Sequence, residues 1–124
     1  MPCEYEIDLT HRLVRTRAWG AVTHAELTAM RVRLTGDPAF QSDFSQLYDL
    51  REAVSLAMTA DEIRELASYS HFGANSRRAI VAPKIAAFGT VRMFAIQREA
   101  SGGQDEVRAF RSLAEANDWL GLEG

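Results

Sequence analysis

Five residues stand where the sequence places its ligand-binding edge. Asp49 and Arg51 follow a predicted third strand, Thr59 opens a helix, Lys84 follows a fourth strand, and Arg111 follows a fifth. A hydroxyl at a helix N-terminus sits beside unpaired backbone amides, and a nearby guanidinium or ammonium supplies counter-charge for a phosphate or carboxylate. In open α/β sheets, ligands gather outside the carboxyl ends of the strands, and the five residues share that edge in the sequence. Asp49, Arg51, Thr59, Lys84 and Arg111 are therefore the candidate binding residues. Ser112, also at a helix start, is read as a cap.

Catalytic chemistry finds no such grouping. His11, His24 and His71 lack the i, i+4 spacing of a helical metal site and have no cysteine partner, so no metal is expected. The sequence carries no G-x-S-x-G elbow, P-loop or G-x-G-x-x-G fingerprint. Gly102-Gly103 reads as a helix stop. The acid pairs Asp61-Glu62 and Asp105-Glu106 do not by themselves argue for acid–base chemistry. Arg77-Arg78, the densest basic spot, reads as a solvated loop leading into a strand. Cys3 and Trp119 read as structural, and Trp19 as a core or sheet-edge residue. The expectation is a protein that is not an enzyme and has no cofactor.

The elements that must position these residues follow from periodicity. Residues 4–8 and 13–22 alternate polar and apolar, and the short Thr10-His11-Arg12 link makes them an antiparallel hairpin. Thr23…Glu26, Thr59…Glu62 and Ser112…Glu115 each have capping-box spacing, a hydroxyl three residues before a carboxylate. These open helices with apolar stripes at Leu27, Met30 and Leu34, at Ile63, Leu66 and Ala67, and at Leu113, Ala116, Trp119 and Leu120. Strands are predicted at 45–50, 78–82 and 105–111, a helix at 86–99, and an apolar link at 53–58. The second capped helix is expected to run to about residue 70–72. The order β-β-α-β-α-β-α-β-α predicts an α/β fold with a mixed, mostly parallel five-stranded sheet and four helices.

Composition is consistent with one domain spanning residues 1–124. Of the residues, 47% are hydrophobic and 25% charged, which argues against disorder. Thirteen arginines and one lysine interleave with 17 acids for a net charge of −3, so no nucleic-acid footprint is expected. A single cysteine requires no oxidising compartment. The N-terminal residues lack a signal-peptide pattern, the uncharged stretch at 85–91 is too short to span a bilayer, and the expected location is cytoplasmic.

Leu47-Tyr48-Asp49-Leu50-Arg51, Thr59-Ala60-Asp61-Glu62-Ile63, Arg78-Ala79-Ile80-Val81-Ala82-Pro83, Phe110-Arg111 and Ala116-Asn117-Asp118-Trp119-Leu120, in that element order, resemble the STAS domain. The likeness is greatest to the SpoIIAA-like group of small bacterial proteins, related in fold to the CRAL-TRIO lipid-transfer domain. It implies a SpoIIAA-like sandwich and a non-enzymatic regulatory or protein-interaction module. The partner would dock through the loop and helix after the third strand. In phospho-switched members a serine in that loop is the acceptor. Here the resemblance implies Thr59, with Asp61 standing where the family has glycine and repelling a phosphate.

An alternative function is a small-molecule or lipid-binding protein whose apolar pocket lies between sheet and helices, lined by Phe88, Met93 and Phe94. The expected partners are thus a protein, or a small apolar or anionic ligand. A homodimer paired through the hairpin edge near Trp19 is a further expectation.

Overall fold

A computed structural model describes residues 3–122. The chain forms β1 (Cys3–Asp8), β2 (Leu13–Thr23), α1 (His24–Thr35), β3 (Ser45–Ala57), α2 (Ala60–Ala67), β4 (Arg77–Val81), α3 (Ile85–Ala100), β5 (Glu106–Phe110) and α4 (Leu113–Leu120). The element order is the one predicted. The strands lie in the order β1-β2-β3-β4-β5, with β1 antiparallel to β2 and every later pair parallel.

Two of the three capping boxes form completely, at Thr23 and Thr59, where each hydroxyl accepts from the third helical amide and the glutamate accepts from the cap amide. At Ser112 the hydroxyl accepts from the Glu115 amide. Each such hydroxyl is worth about 1 kcal/mol of helix stability.

Strand alternation sorts the core onto two faces. Ala18, Tyr48, Leu50 and Ile80 pack with Met30 of α1 and Val91 of α3. Leu13, Leu47, Ala79 and Val81 turn the other way and pack with Ala116 of α4. Three helices therefore cover one face and α4 covers the other. A third cluster, Val14, Leu34, Phe44 and Phe72, closes the end of the sheet beneath α1.

Two expectations need correction. Residues 53–57 are not a link but the second half of β3, because the end of β2 supplies a ladder: Trp19 to Thr23 pair with Glu52 to Ala57 across two register shifts. Gly20, with φ +67°, sits at one of those shifts, in the left-handed conformation that favours glycine. Such long-range pairing leaves no local trace in a stretch as irregular as Ala53-Val54-Ser55-Leu56-Ala57.

Helix α2 stops at Ala67 rather than near residue 70–72. The Ser68 hydroxyl donates to the Glu65 carbonyl, and the buried Arg98 guanidinium donates to the Ala67 carbonyl, so the helix end is satisfied there. Trp19 lies on β2, one residue past the last described pair with β1 (Cys3 with Ala18), and pairs with Glu52 of β3. Its half-buried ring carries the Arg17 guanidinium 4.6 Å from its centre.

Candidate functional site

The five candidate residues do not converge. Asp49 and Arg51 form a closed pair, with Arg51 donating from Nε at 3.0 Å and Nη2 at 2.9 Å to the two carboxylate oxygens. Burial alone would push the Asp49 carboxyl up, but the hydrogen bonds and charge of Arg51 more than offset this and hold it below its ordinary value. Because β3 continues to Ala57, this pair lies mid-strand, on the α4 side of the sheet with Leu47. Lys84 and Arg111 do follow their strands. The Lys84 ammonium donates to the Ala53 carbonyl at 3.4 Å, and Arg111 donates to the Pro83 carbonyl at 3.3 Å. Thr59 is exposed and caps α2.

A concave feature lies on the opposite face of the sheet. A cavity of about 120 Å³ opens between α1, α2, α3 and the sheet. Leu27, Met30 and Leu34 of α1 form one wall, Ile63 and Leu66 of α2 a second, and Val91 and Phe94 of α3 a third. Tyr48, Leu50 and Ile80 form the floor. The apolar stripes that drive each helix onto the sheet thus also leave the space between them, because three helices on a twisted sheet do not fill every gap. Of the aromatic and methionine side chains expected to line such a pocket, only Phe94 does so. Met93 is 43% exposed, and Phe88 packs on the other side of α3 toward Val107 and Ala109. The buried stripe of α3 runs through Ala87, Val91, Phe94 and Arg98.

One end of the cavity is polar. Gln46, Ser70 and Arg78 line it there, and Tyr69, His71 and Arg31 also contribute. Arg78 belongs to β4 and is not in a solvated loop: its side chain is 13% exposed. The guanidinium lies 4.6 Å from the centre of the Phe72 ring and 5.6 Å from that of Phe94. Its Nε donates to the Gln46 side-chain Oε1 at 3.0 Å, and Nη1 donates to Asp105 at 3.1 Å and to the Ser70 hydroxyl at 3.4 Å. Gln46 in turn donates to the buried Thr16 hydroxyl at 3.0 Å.

Asp105, whose side chain is fully buried, also accepts from Arg98 Nε at 3.0 Å. Burial raises the Asp105 carboxyl, yet the charge of Arg78 and the hydrogen bonds of both arginines outweigh it, so the group is held below the usual carboxylate range. Burial pulls Arg78 down from its ordinary value, but a guanidinium starts so high that it keeps its charge. Two buried guanidiniums therefore share one carboxylate.

Gly103 belongs to this cluster as well as to the turn after α3. A Cβ there would run into the Arg98 guanidinium, so any larger residue would have to displace it. His71 also borders the cavity, its ring 3.2 Å from the Tyr69 hydroxyl. Burial pulls its imidazole down from its ordinary value, and the positive charge of Arg31 adds to that.

None of Arg78, Arg98 and Asp105 was among the residues predicted to form a site. One signal was present in the sequence. Arg78 directly precedes the apolar run Ala79 to Ala82, and Arg98 falls seven residues after Val91 on a buried stripe. Their shared partner, Asp105, could be found only once α3 and β5 were packed. Among the described residues, no three histidine, cysteine, aspartate or glutamate side chains cluster closely enough to hold a metal ion. No helix among them is long and apolar enough to cross a membrane.

No protein-family model matches the chain, and no curated protein is similar to it. A solved structure is similar in fold: an uncharacterised protein of the DUF3478 family from Shewanella loihica, described as having a SpoIIAA-like fold. The two share 20% identity over 95% of this chain and 93% of that one, with a TM-score of 0.59. The chain thus has the SpoIIAA-like α/β fold, as the STAS resemblance implied.

Proposed function

We propose that this chain is a non-enzymatic regulatory module that binds a small molecule in the cavity enclosed by α1, α2, α3 and the sheet. The observation that carries the reading is the cavity itself: apolar on three walls, polar at one end, and bounded by three separate helices. Its size selects among ligands. A cavity of roughly 150 Å³ accepts benzene, so about 120 Å³ suits a ring or short chain and does not enclose a long acyl tail.

Titration of the isotope-labelled protein with benzene tests this by NMR. Shifts should concentrate at Met30, Leu34, Ile63 and Phe94, and Leu66→Trp, which fills the space from the α2 wall, should abolish them. Shifts scattered over the surface, or unchanged in Leu66→Trp, would overturn the reading.

Docking of a protein partner through residues 51–59 and α2 is a second reading, favoured by the two-sided character of α2. Ile63 and Leu66 line the cavity, whereas Asp61 and Arg64 stand exposed on the same helix. A ligand in the cavity would thus bear directly on the helix that meets the partner. A protein retained by the native chain and lost from an Asp61→Arg/Arg64→Glu double variant of equal stability would support this. Equal retention by both would refute it.

A further inference from the structure

The Arg78–Asp105–Arg98 cluster carries two positive charges and one negative, leaving one positive charge in the interior without a counter-ion. Uncompensated buried charge is costly, and charged interior groups are ordinarily paired. The surplus lies at the cavity: Arg78 lines it, whereas Arg98 is occupied by Asp105 and the Ala67 carbonyl. Nε and Nη1 of Arg78 are both engaged, whereas its Nη2 has no hydrogen-bond partner among the described residues and is not sealed from solvent.

The remaining lining supplies no counter-charge. Arg31 and His71 also border the cavity, and no aspartate or glutamate does. Glu65, an exposed carboxylate of α2, is already held by Arg31 at 3.3 Å and His24 at 2.8 Å. It leaves Arg78 unanswered.

We propose that the cavity's ligand is a small monoanion with an apolar body, its carboxylate accepting from the free edge of Arg78 and its ring or short chain filling the space between Leu34, Ile63 and Phe94. This rests on the cavity being a ligand site and adds the charge and size of the occupant. One surplus charge matches a singly charged carboxylate better than a phosphate monoester, which carries about −1.5 to −2 at neutral pH.

Calorimetric titration with benzoate, benzyl alcohol and benzylamine, three probes sharing one ring, separates charge from shape. Benzoate should bind roughly 10- to 100-fold more tightly than benzyl alcohol, the range of a charge-assisted hydrogen bond, and benzylamine should not bind. In Arg78→Met the benzoate preference should vanish while benzyl alcohol binds as before. That variant leaves Asp105 with Arg98, a neutral pair. In the native protein, independently of any variant, the Arg78 side-chain resonances should move with benzoate and not with benzyl alcohol. Equal affinity for benzoate and benzyl alcohol would overturn the anion assignment and leave the cavity reading standing. Binding of neither, with benzene also silent, would overturn both. A benzoate preference that survives in Arg78→Met would move the anion site elsewhere.

Discussion

Replacing Asp105 by alanine is expected to destabilise the fold by about 3–5 kcal/mol, the usual cost of stripping one partner from a buried ion pair. The loss is large because the carboxylate serves two guanidiniums whose side chains are only 13% and 9% exposed. Without it, Arg78 and Arg98 face each other in the interior with no negative charge between them. Urea unfolding should show a fall in midpoint without a change of slope. Arg78→Met should be far milder, because Arg98 and Asp105 remain a neutral pair. A double comparison of the two variants would show whether charge balance or side-chain packing carries the cost. Equal losses in both would mean packing.

The same carboxylate sets a pH dependence. Its folded-state value lies below the ordinary one, so the unfolded chain takes up the proton first as pH falls. The contribution of Asp105 is therefore complete above the unfolded carboxylate value of about 3.9 and is lost as pH drops through the lower folded value. Stability measured from pH 6 down to pH 2 should fall more steeply in the native protein than in Asp105→Asn. The difference between the two curves should close at the acidic end. Parallel curves would show that Asp105 does not titrate with folding.

Phe44→Ala is expected to cost about 3–5 kcal/mol, lowering the thermal midpoint by roughly 10–20 °C. Phe44 is the largest fully buried side chain, at 1% exposure, and it precedes β3 rather than belonging to an element. It joins Val14 of β2, Leu34 of α1 and Phe72 of the loop after α2, so truncation opens a void among three parts of the chain at once. Phe72 also stacks edge-on with Phe40 at 5.3 Å and borders the cavity. Loosening of the 68–76 loop should follow, and amide exchange there should quicken more than in β3. Phe44→Leu, which keeps most of the apolar volume, should lose much less. A loss below 1 kcal/mol in Phe44→Ala would mean that the three parts collapse onto the void.

Local chemistry wrote much of the fold into the sequence. Thr23, Thr59 and Ser112 with their following glutamates mark helix starts because a cap and its partner lie within four residues of one another. The alternation at residues 4–8 and 13–22 and the apolar run at 79–82 mark strands for the same reason. The stripe Leu27, Met30 and Leu34 needs only the helical period to declare its buried face. Asp49 and Arg51, in contrast, stood out as a site by type and by their place after a strand. Yet β3 does not end there, and the two neutralise each other on the face away from the cavity.

What the sequence by itself determined is the succession of strands and helices and the α/β class, since capping and periodicity act over a few residues. What only the tertiary structure decided is the site. Arg78, Arg98 and Asp105 are separated by 20 and 7 positions along the chain. Whether an arginine is solvated or buried with half a counter-charge depends on which elements pack around it. The Ala67 carbonyl, the missing side chain at Gly103 and the gap between three helices all come from different segments. Electrostatics and cavities are properties of that assembled surrounding, and no stretch of a few residues contains them.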